Sequence, residues 1–483
     1  MTYSTLYLLS PEILLVLVGV LTYLVGRTPG RLAAAGLVAA AVILPLSASA
    51  GSYGPVVCDG LSLFVRGLAL ATGMLLLLTC SGPRAEGDRP EYVGSLLLAV
   101  AGVMLAASAN ELVLVFLGLE LVSIPTYILL YLARRDAASH EATAKYFFLS
   151  ILASALLLYG FSFLYGLAGS MELPVIAQRL GMLPADGTAK LARLALVFVF
   201  AGLGFKLTAA PFHFYAPDVY QGTSNANAAL LSVLPKAAGL AVLVRIVAMS
   251  MPGVGPYDWR LVAAVSVLSM TLGNILALWQ DNLRRLMAYS SIAQSGYLLV
   301  GLAAGLAGHA PPGWNGTGTA IFYLVVYVPA TVGTFAALVY LGREQRQIDS
   351  VDQLAGVGKT HPWAAAAVAV CMFSLAGIPP LAGFWGKLTV FGAALAVPGQ
   401  TAGPSPQPWL VGLAIVGVLN SVVAAAYYLR VVAVMYFRAP LATPKAEGGV
   451  GPWAATLLCV AAVLAIGLYS SPLLRAALDA ATR

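Results

Sequence analysis

From about residue 5 to residue 473 the chain alternates between apolar runs of roughly twenty residues and short polar connections. A helix of that length crosses a hydrocarbon core of about 30 Å. Hydropathy and helix breakers predict fourteen helices, at 5–26, 32–50, 57–80, 92–109, 111–133, 143–169, 191–211, 225–250, 260–280, 286–307, 319–342, 362–398, 408–437 and 451–473. The run 362–398 is too long for one crossing and holds Pro379 and Pro380, so it predicts one broken helix that crosses once. The run 191–211 carries Lys206, ends on Pro211 and is followed by His213. A break inside a bilayer frees backbone groups that cannot be left bare in lipid, so each must be buried against protein or line a hydrated cavity. The interrupted helices are the seventh and the twelfth. That spacing implies two inverted five-helix repeats, at 92–250 and 260–438, after three helices in 1–91 and before a C-terminal helix in 451–483.

Composition strengthens this picture. Hydrophobic residues make up 60% of the chain and charged residues 9%, against about 25% charged in soluble domains. The expected class is an all-α polytopic membrane protein, and no connection is long enough for a soluble domain. The net charge of +7 is spread in ones and twos, which fits contact with phospholipid headgroups and not with nucleic acid. With both termini outside, thirteen Lys and Arg residues fall in the inner connections and six in the outer ones, the bias of cytoplasmic loops. The location implied is an energy-coupling membrane such as the bacterial plasma (inner) membrane. Cys58, Cys80, Cys371 and Cys459 are scattered and form no CxxC pair, so neither an iron–sulfur cluster nor a structural metal is expected. The stretch "GVGKT" at 356–360 lacks the first glycine of a phosphate-binding loop and runs into His361-Pro362.

Charges inside the apolar runs carry the functional question. A charge at the bilayer centre costs about 2.5–3.5 kcal/mol even on insertion scales. Arg66, Arg245 and Arg430 hold near-permanent charge and read as structural partners. Glu12 and Glu111 sit in first turns, where a carboxylate suits the helix dipole or reaches water. Glu120, Lys145, Lys206, Lys236 and Lys387 remain. Buried ion pairs often fail to repay their own desolvation, so this many predicts a use, and protonation is the physical one. Moving a charge against 100 mV takes about 2.3 kcal/mol, which is about a fiftyfold change in proton affinity. His213 joins the set because Lys206 is its neighbour across the break, whereas His140, His309 and His361 fall in loops. No catalytic centre and no cofactor-binding motif is read in this chain.

Several of these segments resemble a known family. "GFKLTAAPFHFYAPDVYQG", "SVLPKAAG", "NLRRLMAYSSIAQSGYLLVG" and "SLAGIPPLAGFWGKL" are similar to the subunit N family of respiratory complex I, antiporter-like membrane subunits of NADH–quinone oxidoreductase. "LVFLGLELVSIPTYIL" followed by "EATAKYFFLS" looks like its fifth and sixth helices. The resemblance covers about residues 90–440 and implies fourteen helices with broken seventh and twelfth. It implies Glu120 and Lys145 as an interfacial pair, Lys206 and Lys236 as a first-half relay, Lys387 as the exit-side lysine and His213 as the histidine after the break. It implies a proton-translocating subunit of a redox-driven complex. NADH, FMN, iron–sulfur clusters and quinone would then sit in partner subunits, and neighbouring antiporter-like subunits would be its contacts. A cation/proton antiporter subunit and a structural scaffold are the rival readings; few intramembrane carboxylates are present to hold sodium. Relatives of subunit L end in a long lateral helix, for which no sequence remains after residue 473, and relatives of subunit M usually carry glutamate where Lys387 stands. Two departures stand out: "QGTSNANAALLS" is poorer in proline than the family stretch, and Gln294 stands where many relatives have histidine.

Overall fold

The computed structural model describes the chain except residues 1–2, 27, 49–50, 82–88, 135, 183–186, 250–256, 309, 312, 343–346, 400–404, 441–445 and 483. Arg27, Arg84, Arg135, His309, Arg343, Arg346, Lys445 and Arg483 thus lie outside the described residues. The chain opens with α1 (Tyr3–Leu8), α2 (Ser10–Val25) and α3 (Pro29–Ser47). A small hairpin of β1 (Gly51–Tyr53) and β2 (Val56–Cys58) follows, then α4 (Gly60–Cys80). Next come α5 (Pro90–Ser108), α6 (Leu112–Ala133), α7 (Ala137–Ala168), the short α8 (Leu173–Leu180), α9 (Gly187–Leu207), α10 (Ala216–Gly222) and α11 (Asn225–Leu243), which runs into a π-helical turn at Val244–Met249. The same order of three helices, a broken helix and a further helix returns in α12 (Tyr257–Leu278), α13 (Leu283–Ala307), α14 (Gly316–Leu341), α15 (Val357–Thr360), α16 (Pro362–Ala376), α17 (Ala382–Ala396) and α18 (Gln407–Phe437). The chain closes with α19 (Val450–Leu468) and α20 (Ser471–Thr482).

Eleven of these helices are long and apolar enough to cross a membrane by length and composition. The other expected crossings are shorter, broken or charge-bearing: α2, α9 and the α16–α17 pair. Both breaks lie where the prolines put them. A proline in a continuing helix clashes with the carbonyl four residues back, and α9 ends at Leu207, four before Pro211, while α16 ends at Ala376, four before Pro380. The Ala210–Pro211 and Pro379–Pro380 bonds are both cis. The last expected crossing is also shorter than 451–473: α19 stops at Leu468, four before Pro472, and α20 turns back. There Ala480 and Leu478 lie against Gly60 of α4 and Gly318 of α14.

Small residues let α5 touch α6, and α12 touch α13, backbone to backbone, as they do in membrane bundles. A Cβ on Gly118 of α6 would stand 2.7 Å from the Ala106 nitrogen of α5, and one on Gly273 of α12 would stand 2.6 Å from the Ala293 nitrogen of α13. Two helices form the inner axis: every residue of α11 is buried, as is nearly all of α14. The structural arginines behave as read, with one addition. Glu12, expected as a dipole residue, sits in the first turn of α2 but also pairs with Arg66 of α4 through Oε1–Nε at 2.7 Å, while Arg66 Nη2 donates to the Leu8 carbonyl at the end of α1. Arg245 grips Asp59, the N-cap of α4, at 2.8 and 3.0 Å and donates to the Ala107 carbonyl at 2.6 Å. Arg430 caps the end of α12 through the Leu278 and Gln280 carbonyls.

Candidate functional site

The axis of the molecule carries three lysines whose partners are all neutral. Lys206, in the last turn of α9, donates to Ser123 Oγ of α6 at 2.6 Å and to Ser150 Oγ of α7 at 3.1 Å. Lys236 follows Pro235 in the all-buried α11, where the proline removes one backbone donor from the helix. It donates to both the carbonyl and the hydroxyl of Ser291, each at 2.8 Å, with its amine 4.7 Å from the centre of the Tyr327 ring. Lys387 of α17 donates to the Ala376 carbonyl at 2.9 Å, and its amine sits 4.7 Å from the centre of the Tyr297 ring. Their exposures are 3%, 1% and 6%. Among the described residues no carboxylate forms a salt bridge with any of the three. Neutral dipoles hold a cation less firmly than a counter-ion does, so proton release strands no buried partner charge.

The second break supplies the bed for Lys387. Ala376 is the last residue of α16, so its carbonyl lacks an intrahelical donor, and the ammonium takes that place at the negative end of the helix dipole. Gly377 makes the geometry possible. Its φ is +90°, and a Cβ there would meet Lys387 Cδ at 2.9 Å. Gly377→Ala is therefore expected to cost about 1–2 kcal/mol in backbone strain and to dislodge the amine. Proton pumping by the assembled complex, beside its thermal midpoint, checks this: both should fall, and unchanged pumping would detach Lys387 from the site.

The first break is closed by side chains from elsewhere. Tyr215 donates to the Phe205 carbonyl at 2.9 Å, Ser269 accepts from the Ala210 amide at 2.9 Å, and Ser295 donates to the Leu207 carbonyl. The same hydroxyl can turn its one proton instead to the Ser291 carbonyl at 3.1 Å, which accepts from Lys236. A polar path thus leads from the end of α9, one residue past Lys206, to Lys236. Beyond Lys236, the Tyr327 hydroxyl donates to Ser291 Oγ at 2.9 Å. A cavity of about 10 Å³ has Tyr327, Gln294, Tyr323, Ser374 and Lys387 in its lining. That is the volume one water needs. Gln294 donates to the Leu375 carbonyl at 3.2 Å, beside the carbonyl that Lys387 holds.

Glu120 and Lys145 do not form a pair. Glu120 accepts from Ser154 Oγ of α7 at 2.6 Å, one helical turn from Ser150, which accepts from Lys206. Lys145 is 41% exposed and binds Glu141 at 2.7 Å and Asp218 at 2.9 Å. The reason is register. α6 and α7 pack against each other in a register that sets Glu120 beside Ser154. Lys145 lies nine residues from Ser154 on the same helix, about 13 Å along its axis. His213 lies in the break, 8% exposed, beside Phe214 and with no partner for Nδ1 among the described residues. Pro211, Pro379 and Pro380 all lie in the breaks.

Comparison with known proteins bears on what such an axis belongs to. Residues 109–402 match the family model described as NADH:quinone oxidoreductase/Mrp antiporter, TM. The chain is 40% identical over 491 aligned residues to NADH-quinone oxidoreductase subunit N of Granulibacter bethesdensis, covering 97% of each chain. It is 39% identical over 461 residues to the subunit N of Rhodospirillum rubrum, covering 90% of this chain and 89% of the relative. The chain belongs to the NADH-quinone oxidoreductase subunit N family. A chain of respiratory complex I from Thermus thermophilus with bound aureothin is similar at a TM-score of 0.80 and 32% identity, covering 96% of this chain and 98% of that one. A chain of the Mrp complex from Dietzia shares the fold, at a TM-score of 0.83 and 24% identity.

The hydroxyls that surround Glu120, Lys206 and Lys236 were not singled out from the sequence. Ser123, Ser150, Ser154, Ser291, Ser295 and Tyr327 touch Glu120, a lysine or each other. One signal was present. Ser150 and Ser154 sit four apart on one face of α7, and "YSSIAQSGY" places six small or polar residues, besides its two tyrosines, in the middle of a buried helix.

Proposed function

We propose that this chain is a proton-translocating, antiporter-like subunit of a redox-driven NADH–quinone oxidoreductase. Protons pass along Glu120, Lys206, Lys236 and Lys387 by way of serine and tyrosine hydroxyls and water. The observation that carries this reading is the set of three buried amines, each held by hydroxyl or carbonyl oxygens and none by a carboxylate among the described residues, beside two broken helices. Fixed ion pairs would hold their protons. Here a charge arriving at Glu120 changes the proton affinity of Lys206, and each lysine meets the next through neutral groups. Lys145, at the rim, is an electrostatic neighbour of this axis through Asp218, and His213 flanks the first break.

In this reading the fourteen segments all cross the membrane, as two inverted five-helix repeats. The arginine-bearing end faces the cytoplasm and both termini face outward. NADH, FMN, iron–sulfur clusters and quinone belong to partner subunits, and adjoining antiporter-like subunits and phospholipid cover the apolar outer faces. The test is Lys387→Ala in the complete complex, assayed in sealed vesicles for protons moved per NADH oxidised. The expected result is assembled complex with the ratio reduced. A full ratio would return the chain to a scaffold role, and flux that depends on sodium would make it an antiporter.

A further inference from the structure

Lys387 is short of polar partners. An ammonium has three N–H donors, and Lys387 uses one on the Ala376 carbonyl at 2.9 Å. The small cavity beside Gln294, Tyr323 and Ser374 has room for one water as a second acceptor. The amine also lies 4.7 Å from the centre of the Tyr297 ring, inside the range of about 6 Å over which an aromatic face attracts a cation. Lys236 repeats the arrangement, 4.7 Å from the centre of the Tyr327 ring. Lys145, at the rim, has two carboxylates instead.

The Tyr297 ring is fixed from two sides. Its hydroxyl, on a wholly buried residue of α13, accepts from Asn274 Nδ2 of α12 at 3.0 Å. Asn274 is held in turn: its Oδ1 accepts from the Tyr427 hydroxyl of α18 at 3.0 Å, and its Nδ2 also donates to Asn420 Oδ1 of α18 at 3.2 Å. These bonds hold the hydroxyl end of the ring. Phe391, one turn beyond Lys387 on α17, holds its plane, at 73° and 6.2 Å between centroids. A buried asparagine is costly unless it is hydrogen-bonded. This one ties three helices together at the far end of the ring that Lys387 faces.

We propose that the Tyr297 ring stands in for a counter-ion at Lys387, a positioning residue that favours the charged amine, and that Asn274 sets it in place. The negative face of a ring attracts an ammonium and gives a neutral amine little. A carboxylate there would be left charged and buried once the proton had gone; a ring has no charge to strand. The inference rests on Lys387 acting in the relay, and its test separates the two claims. In the complete complex in sealed vesicles, position 297 carries Tyr297→Phe, Tyr297→Leu and then phenylalanines with one, two and three ring fluorines. Fluorine draws charge from the face of the ring and hardly changes its shape. The readouts are the rate of proton pumping and, with lysine carrying nitrogen-15, the infrared ammonium band that Lys387→Ala removes.

Tyr297→Phe keeps the face and is expected to pump within about twofold of the unmodified complex. Each added fluorine is expected to lower pumping and the band together, by about tenfold in pumping at three fluorines, near the level of Tyr297→Leu. A ring that only fills space would not follow the number of fluorines. Equal pumping and equal bands across the phenylalanine series overturn the proposal, even where Tyr297→Leu fails to assemble. If Lys387→Ala slows pumping while that series stays flat, the relay stands and the part given to the ring falls. Undiminished pumping in Lys387→Ala overturns the relay at this lysine; a band that still weakens with each fluorine then upholds the ring's hold on the cation.

Discussion

Lys206→Ala and Lys206→Arg will fail alike: both will leave the complex assembled and cut proton pumping by about an order of magnitude or more. Alanine removes the amine from its place between Ser123 and Ser150. Arginine keeps the charge, but guanidinium does not release its proton in the working range. A relay needs release, and an electrostatic strut needs only charge. The two variants therefore part the explanations. If Lys206→Arg pumps at the rate of the unmodified complex, Lys206 is a strut and the proton route lies elsewhere. Glu120→Gln extends the logic. It retains an acceptor for Ser154 but removes the carboxylate charge, one turn of α7 from the Ser150 hydroxyl that holds Lys206. Its expected effect is intermediate, since the amine still has its hydroxyl partners. The measurement is vesicle acidification per NADH oxidised, with the subunit's amount in the membrane as the control.

The second large effect concerns assembly. Arg66 is wholly buried and Glu12 nearly so, and they contact each other through two pairs of atoms at 2.7 Å. Removing one partner of such a pair costs about 3–5 kcal/mol, because the other is left charged and alone, whereas replacing both by apolar groups of similar volume is close to neutral. Arg66→Met is thus expected to deplete the subunit from the membrane. The double variant Arg66→Met with Glu12→Leu should restore most of it, with pumping intact. Loss of pumping in an assembled double variant would move this pair from structure into the proton path. The thermal midpoint and the subunit content of purified complex read both outcomes.

The sequence revealed helices more readily than depth. Apolar runs mark crossings because lipid leaves the backbone no partner but itself. The breaks at Pro211 and Pro380 were legible for the same reason, although proline alone did not mark them: Pro125, Pro235 and Pro329 sit inside continuous helices. What closes a helix here is the company it finds. Tyr215, Ser269 and Ser295 take up the backbone groups freed at the first break, and those contacts span up to 88 residues of sequence. The depth of Lys145 was not legible, because a lysine near a helix end looks alike whether it lies one turn deep or at the rim; the α6–α7 register decides it. The serines were missed for a different reason. In membrane helices serine commonly bonds its own backbone, as Ser123 does with the Leu119 carbonyl at 2.7 Å. Nothing in the residue itself tells that its oxygen also accepts from Lys206.

In the proposed relay the buried amines gain and lose protons during turnover. Infrared difference spectra of the complete complex, recorded on adding NADH and with this chain's lysines carrying nitrogen-15, test it most directly. The claim predicts isotope-shifted ammonium bands that appear or vanish with turnover and lose intensity in Lys206→Ala, Lys236→Ala and Lys387→Ala. Spectra in which no lysine band changes while the complex pumps at full rate would contradict it.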